Sequence, residues 1–283
     1  MKFTRKLSAL LPAVILVAGL TGCGGAPDAG ATATIPGCTP AHPGVQTITP
    51  GVLDVSVYVS PPYSTQNGTA FGGIDGAIIK KLAGMECLTL KEEAVAGAGL
   101  IAGIQAKRAD LAIGGVKYTA QRAQTLALSS AMYQDGVAFI AKNAVDGSLA
   151  ELSGKSVGVL QGYFFVGDLT KALGADHVRI YQDVDSMLSD IRNGRLDVGT
   201  LDNATATYFA KANPGLTATP VQATSALPAS EQKNTVVLAI NKDLTNLHEA
   251  LSADIATLIK GGYIARVLKD NGMDPALAGG TNH

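Results

Sequence analysis

The sequence contains no tryptophan and no cluster of metal ligands, and it lacks the local motifs of common enzyme classes. His42, His177, His248 and His283 are scattered without the close spacing of a metal site. Neither a nucleophile elbow nor a phosphate loop occurs, and in residues 97–103 the third glycine comes one residue too late for a dinucleotide fingerprint. These absences predict a protein that is not an enzyme and binds neither a metal nor another cofactor.

The one long apolar run lies at the amino terminus. Residues 1–6 carry three basic side chains and no acid, and the apolar run after them is short and interrupted by Pro12, so it does not suit a membrane span. This pattern predicts a secretory signal peptide over residues 1–22. The four residues 20–23, Leu-Thr-Gly-Cys, resemble a lipobox, which predicts that Cys23 is lipidated and anchors the protein through acyl chains. The alternative is an ordinary secreted protein with a chance cysteine.

The charge is small and, after processing, acidic. Removing residues 1–22 removes three basic side chains and no acid, so the formal charge changes from -1 to -4. No basic patch of the kind that binds nucleic acid remains. We therefore predict an extracytoplasmic protein that does not bind nucleic acid and that contacts the membrane through its lipid anchor only, at the cell surface or in the periplasm.

Cysteine is scarce, with three residues in the chain. If Cys23 is lipidated, Cys38 and Cys87 remain as a pair in an oxidising compartment, which predicts a disulfide. The alternative is two free thiols. Residues 23–50 are rich in Gly, Ala, Pro and Thr without helical or strand periodicity, so we expect them to form a flexible tether.

From residue 51 onward, apolar strand patterns alternate with amphipathic helix patterns. Ile74, Ile78 and Leu82, for example, share one face of a predicted helix. Apolar strands that alternate with helices indicate parallel α/β sheets. The pattern restarts near Asn143, which predicts two sheets rather than one.

Two charged residues lie where such sheets place ligand-binding groups. Gly114 and Gly115 end a predicted strand, and Arg122 follows in the first turn of a helix that Thr119 caps, so its guanidinium is placed to bind a carboxylate. The alternative is a surface ion pair. Asp202 ends a later strand and suits a ligand ammonium group, although capping of the next helix explains it equally well.

Aromatic residues are few, yet four of them lie in two loops. Tyr63 and Phe71 belong to a Pro-Gly loop after the first strand, where they form either an aromatic wall or loop packing. Tyr163 and Phe164 follow Gln161-Gly162 at the end of a buried strand. Aromatic faces bind flat rings or cations, so the alternatives for this pair are ligand contact and core packing.

Six segments, taken in order, resemble the type-3 solute-binding proteins, the polar amino-acid receptors of ABC importers. The resemblance implies a two-lobed periplasmic-binding-protein fold with two hinge crossover strands, at residues 137–143 and 236–241. Lobe 1 would contain residues 51–139 and 238–283, and lobe 2 residues 143–234. The segments are PPY (61–63), GGIDG (72–76), RADLAIGGVKYTAQR (108–122), LSGKSVGVLQG (152–162), GRLDVGTLD (194–202) and IKGGYIARVLKDNG (259–272).

The resemblance also implies roles for individual residues. Arg122 would bind the ligand α-carboxylate, Asp202 the α-amino group, and Gly115 and Lys117 would supply main-chain contacts. Lys117 departs from the family pattern, in which small hydroxyl or apolar residues are common at this position. A second departure lies just before Pro61. The family often has an aromatic or acidic residue there, whereas we assign Val57 and Ser60 to the corresponding positions in this chain.

A third departure concerns the loop after Gly162, where the family has Thr or Ser and this chain has Tyr163. We expect Tyr163 or Phe164 to line the cleft and Phe165 to lie in the core of lobe 2. Tyr63 and Phe71 are further candidate ligand contacts. Such aromatic walls favour a larger, aromatic or cationic amino-acid-like zwitterion.

The functional prediction is therefore a monomeric, lipid-anchored substrate-binding protein that closes on an amino-acid-like ligand and delivers it to an ABC permease. Two alternatives use the same fold. One is a sensory ligand-binding lipoprotein, and the other is an enzyme that resembles cyclohexadienyl dehydratase.

Overall fold

The structure is a computed structural model that describes residues 35–280. The predicted signal peptide and Cys23 lie outside the described residues. The strands among the described residues are β1 (Val52–Val57), β2 (Thr65–Asn67), β3 (Ala70–Gly72), β4 (Thr89–Ala94), β5 (Leu111–Ile113), β6 (Ala127–Leu128), β7 (Tyr133–Asp135), β8 (Val137–Ala141), β9 (Val157–Leu160), β10 (Val178–Tyr181), β11 (Val198–Asp202), β12 (Thr217–Pro220), β13 (Asn234–Val236) and β14 (Ala239–Ile240).

Helices alternate with these strands through most of the described chain. The helix from Gly73 buries Ile74, Ile78 and Leu82, as their spacing predicts. Short 3-10 turns lie at Ala150–Leu152, Ala175–His177, Pro228–Ser230 and Pro275–Leu277. The α-helices are α1 (Gly73–Met85), α2 (Gly97–Gln105), α3 (Ala120–Thr125), α4 (Val166–Leu173), α5 (Val184–Arg192), α6 (Asn203–Ala212), α7 (Thr245–Lys260) and α8 (Tyr263–Asp270).

The first sheet has the strand order β4-β1-β5-β14-β6. β1 runs parallel to β4 and β5, and β14 runs antiparallel to β5 and β6. Apolar side chains of α1, α7 and α8 form the large core on one face of this sheet. A smaller core forms with α2 on the other face. Because both faces are covered, β1 is buried along nearly its whole length.

The second sheet has the order β10-β9-β11-β8-β12. β9 runs parallel to β10 and β11, whereas β8 runs antiparallel to β11 and β12. Phe165 and Leu169 join the core on one face, and Met187, Leu188 and Ile191 of α5 join the core on the other. The mixed α/β architecture with two sheets confirms the predicted two-lobed fold class.

The chain passes between the two sheets twice, through β7 and β13, which pair with each other in an antiparallel ribbon. The sequence interpretation assigned the first crossover to residues 137–143. All of β8 instead pairs within the second sheet, so that assignment came too late along the chain. The error arises because β7 is three residues long and largely polar, whereas β8 has the apolar run that the sequence interpretation took for the crossover strand.

The predicted tether was too long at its carboxyl end. Cys38 forms a disulfide with Cys87, and the amide of Ala41 donates to Met85 at 2.9 Å. Further along, the amide of Ile48 donates to the Asp110 carboxylate at 2.6 Å. Residues 38–50 are therefore attached to the first sheet and its helices. The attaching bonds reach residues much further along the same chain, so local composition does not reveal them. Among residues 35–280, no helix is both long enough and apolar enough to cross a membrane.

Candidate ligand-binding site

A cavity of about 150 Å³ lies where loops from the two sheets meet. Its size suits a small-molecule occupant. The loops follow the carboxyl ends of β5, β9 and β11, the edge at which α/β sheets place their ligands. The lining residues are Tyr58, Gly97, Leu100, Ile101, Gly114, Gly115, Val116, Lys117, Arg122, Gln161, Gly162, Tyr163, Phe164 and Asp202.

Lys117 forms a buried ion pair with Asp202. Its ammonium nitrogen lies 3.1 Å from Asp202 Oδ2, and the two side chains are 2% and 7% exposed. The same nitrogen donates to the Tyr63 hydroxyl at 3.0 Å and to the Gly115 carbonyl at 3.2 Å. It also lies 4.3 Å above the centre of the Tyr63 ring. Since an ammonium has three N–H donors, all the donors of Lys117 have partners inside the protein.

Asp202 is held at the end of β11, and its side chain does not cap α6. Burial raises the pKa of Asp202 to about 6, against the opposing effect of the Lys117 ammonium. Its second oxygen, Oδ1, is buried and has no hydrogen-bond partner within the described part of the chain. Asp202 thus lines the cavity with one carboxylate oxygen bonded to Lys117 and the other without a partner among the described residues.

Arg122 lies in the first turn of α3, where the Thr119 hydroxyl accepts from the Arg122 amide at 3.1 Å. Its guanidinium donates to the carbonyl of Lys117 at 2.7 Å and to the carbonyl of Gly162, across the cavity, at 3.3 Å. Burial lowers the pKa of Arg122 from its usual value. Both acceptors are main-chain carbonyls, and Arg122 forms no ion pair with a carboxylate among residues 35–280, so the surface ion pair considered from the sequence does not form.

Gly114 and Gly115 form a tight turn under the cavity. Their amides donate to the Asp75 carboxylate at 2.9 and 2.7 Å, and Asp75 also accepts from the Tyr133 hydroxyl. A Cβ on Gly115 would lie 2.4 Å from the Tyr63 ring, and its φ of +73° favours glycine. Both main-chain polar groups of Gly115 are thus bonded within the protein, so this residue lines the cavity mainly as a surface.

The structure places both Tyr163 and Phe164 on the cavity wall, while Phe165 is fully buried in the core. The rings of Tyr163 and Phe164 each pack edge-on against Phe165, at centroid distances of 5.3 and 5.2 Å. Burial, with the negative charge of Asp202, raises the pKa of Tyr163 well above its usual value. These two rings therefore pack against the core on one side and line the cavity on the other.

Two predicted aromatic contacts are not on the cavity wall. Tyr63 is fully buried, and its hydroxyl donates to Asp135 beneath Lys117. Phe71 packs against the core of the first sheet. Tyr63 lies in the turn after β1 and Phe71 in β3, and both rings turn inward to fill core rather than toward the cavity. Tyr63 therefore supports Lys117 rather than a ligand.

Tyr58 was missed by the sequence interpretation, which assigned the positions before Pro61 to Val57 and Ser60. Tyr58 directly follows β1 and lines the cavity, and burial raises its pKa to about 12. The signal was present, because the residue just past the carboxyl end of a parallel strand is a common ligand contact.

One potential metal-binding group occurs among the described residues. His42, Glu86 and Asp254 bring side-chain ligand atoms within 4.8 Å of one another, and the His42 ring nitrogen lies 2.7 Å from Glu86. This direct contact between imidazole and carboxylate accounts for the group without an ion. It joins the segment before β1 to α7, away from the residues that line the cavity.

A small cavity with both signs of charge, built from two α/β lobes, defines a binding protein of the periplasmic type. A profile of the bacterial extracellular solute-binding proteins, family 3, matches residues 53–271. The chain belongs to this family.

Comparisons with individual proteins agree with this assignment. The histidine-binding periplasmic protein of Salmonella typhimurium is 31% identical over 116 residues, which are 38% of this chain and 43% of that protein. Its counterpart in Escherichia coli K12 is 30% identical over the same length. The aligned part therefore spans less than half of these relatives.

Solved structures show the same fold. An amino acid ABC transporter substrate-binding protein from Streptococcus pneumoniae, bound to L-arginine, has a TM-score of 0.71 at 23% identity, covering 78% of this chain and 94% of that one. The arginine-, lysine-, histidine-binding protein of Geobacillus stearothermophilus has a TM-score of 0.69 at 19% identity, covering 78% and 95%.

Proposed function

We propose that this chain is the extracytoplasmic substrate-binding protein of an ABC importer for a small amino-acid-like carboxylate. Membership of the family supports a solute-binding role, and relatives named for histidine or arginine support the amino-acid-like class. The observation that carries the proposal is Arg122. Its guanidinium faces a small cavity, is partly buried, and bonds to two main-chain carbonyls rather than to a carboxylate of residues 35–280.

A ligand carboxylate at Arg122 would bring an anion to the guanidinium and gain charge-assisted hydrogen bonds. The guanidinium already bonds across the cavity to Gly162, so a ligand there would contact both lobes. Lobe closure would bury the ligand and produce the shape that a permease recognises. Monomeric state, attachment through Cys23 and delivery to a permease are parts of the same proposal.

The enzyme alternative needs a free acid or base beside the ligand. Asp202 is the one carboxyl group among the described residues that line the cavity, and it is paired with Lys117. This pairing favours binding over catalysis. A sensory lipoprotein would use the same site, so the distinction lies in the partner.

The first test is a thermal-shift and calorimetry screen of the purified protein against amino acids and related carboxylates. A ligand at a thousand times its Kd should stabilise the protein by about 4 kcal/mol. Uptake of the radiolabelled ligand by cells with and without the chain then tests transport. Normal uptake without the chain would favour the sensory role, and conversion of the ligand by the purified protein would favour the enzyme.

A further inference from the structure

Lys117 fills the place that the sequence interpretation assigned to the ammonium group of a ligand. Asp202, the expected acceptor for that ammonium, already binds the Lys117 ammonium at 3.1 Å. The family resemblance assigned Lys117 only a main-chain role. In the structure its side chain, rather than its main chain, determines what Asp202 can bind.

The Lys117 ammonium has a protein partner for each of its donors. Tyr63 supplies its hydroxyl at 3.0 Å and its ring face at 4.3 Å, and the Gly115 carbonyl accepts at 3.2 Å. The backbone of Lys117 is held as well, because its carbonyl accepts from Arg122 at 2.7 Å. Moving the ammonium away would leave buried polar groups without partners, which is costly. This set of contacts is a built site for an internal cation.

The charged groups on the cavity wall favour a ligand that brings a carboxylate and no ammonium. Lys117 and Arg122 are the cations and Asp202 the anion among the described residues that line it, and Lys117 already bonds to Asp202. A monocarboxylate adds one anion beside Arg122, whereas a zwitterion also places a second ammonium beside Lys117. Like charges in close contact at a buried site are strongly unfavourable.

The remaining oxygen of Asp202 adds a further requirement. Asp202 Oδ1 is buried and has no hydrogen-bond partner within the described chain. A neutral donor on the ligand, such as a hydroxyl, can bond to this oxygen without bringing positive charge. The cavity wall also carries the aromatic rings of Tyr58, Tyr163 and Phe164, which suit a compact apolar or aromatic body.

Given the receptor function, on which this inference rests, we propose that the ligand is a small carboxylate with a neutral hydrogen-bond donor where an amino acid has its ammonium, with 2-hydroxy acids as the nearest class. Lys117 is the residue that excludes the ammonium. Arg122 binds the carboxylate, and Asp202 accepts from both Lys117 and the ligand donor.

The test uses matched pairs that differ only in this group: phenylalanine with 3-phenyllactate, histidine with imidazolelactate, and alanine with lactate, each as the L form. Calorimetry at pH 7.5 should show at least one hydroxy acid binding about tenfold or more tightly than its amino acid, a difference of about 1.4 kcal/mol. Lys117→Ser should reverse the preference by making room for an ammonium beside Asp202. Lys117→Arg, which keeps the charge, should retain the hydroxy-acid preference.

The outcomes separate this inference from the proposed receptor function. Tighter binding of an amino acid than of its hydroxy analogue by the unmodified protein would overturn the inference and leave the receptor function standing. Binding of no member of any pair, by the unmodified protein or by a folded Lys117→Ser variant, would count against both. The comparison on the unmodified protein does not depend on whether the variants fold, which circular dichroism checks separately.

Discussion

Lys117 follows a strand of the first sheet and Asp202 ends a strand of the second, yet their charged atoms are 3.1 Å apart. This buried ion pair joins the two lobes at the floor of the cavity. Its ammonium and one of its carboxylate oxygens are satisfied within the protein, so the pair contributes to both the lobe contact and ligand selection.

Asp202→Asn should destabilise the protein by about 3–5 kcal/mol, because it leaves the buried Lys117 ammonium without its anion. The double variant Lys117→Met with Asp202→Leu should lose less than the sum of the single variants Lys117→Met and Asp202→Leu, since it removes both charges. Urea unfolding of the unmodified protein, these two single variants and the double variant measures the interaction as a double-mutant cycle. Additive losses would show that the pair does not interact energetically.

Arg122→Ala should weaken binding of a carboxylate ligand by about 2–5 kcal/mol, which is about thirtyfold or more, since it removes the charged partner of the carboxylate. Arg195→Ala is the matched control, because Arg195 is largely exposed and pairs with Asp190 in the second lobe. Calorimetry with the tightest ligand from the screen measures both variants. Equal effects of the two substitutions would remove Arg122 from the site.

Gly115→Ala should destabilise the protein more than Gly154→Ala. Both glycines have positive φ, +73° and +76°, but an added Cβ at Gly115 would meet the Tyr63 ring at 2.4 Å, whereas nothing lies within 4 Å at Gly154. We expect about 1–2 kcal/mol for the control from backbone strain and about 1–3 kcal/mol more at Gly115 from the clash. Chemical denaturation provides the comparison, and equal losses would mean that the Tyr63 ring moves freely.

Cys38→Ser should lower the free energy of unfolding by about 4 kcal/mol, because the disulfide to Cys87 closes a loop with a sequence separation of 49. The unmodified protein under reducing conditions should match the variant. A variant as stable as the oxidised protein would show that hydrogen bonds such as that from Ala41 to Met85 suffice to hold the segment before β1.

The group of His42, Glu86 and Asp254 should make stability fall as pH rises. Burial, with the neighbouring Glu86, raises the pKa of Asp254 to about 7 from its ordinary 3.8. The hydrogen bond to Glu86 raises the pKa of His42 as well. The folded state therefore holds protons more tightly than the unfolded state, so stability from this group is present at low pH and is lost between about pH 4 and pH 7.

Asp254→Asn tests this sign through the melting temperature between pH 5 and pH 8. Relative to the unmodified protein, the variant should lose less stability as pH rises. Exposed Asp185→Asn, in helix α5, should leave the profile unchanged. A steeper fall with pH in Asp254→Asn than in the unmodified protein would contradict the predicted sign.

Much of the fold could be predicted from local pattern. Helix periodicity placed Ile74, Ile78 and Leu82 on one helix face, and apolar runs marked most strands of both sheets. Both patterns depend on near neighbours in the chain, and the structure agrees with them. The hinge was placed less well, because the three-residue β7 has no apolar pattern to mark it and the apolar β8 belongs to the second sheet.

In the candidate site, too, positions along the chain were predicted well and side-chain directions less well. Arg122, Asp202, Tyr163 and Phe164 were identified from their positions after strands, and all four line the cavity. Tyr63 and Phe71 were assigned to the wrong surface, since a loop sequence does not say which way its rings turn. Tyr58 was missed although its position at a strand end was readable.

The sequence by itself determined the alternation of strands and helices, the family and the strand-end positions of the charged groups, because these depend on residue type and spacing alone. Only the tertiary structure decided that Lys117 pairs with Asp202, that Tyr63 lies beneath them and that residues 38–50 attach to the first lobe. These contacts join residues far apart in the chain. Their energies depend on burial and on distances of about 3 Å, and neither of these can be predicted from local composition.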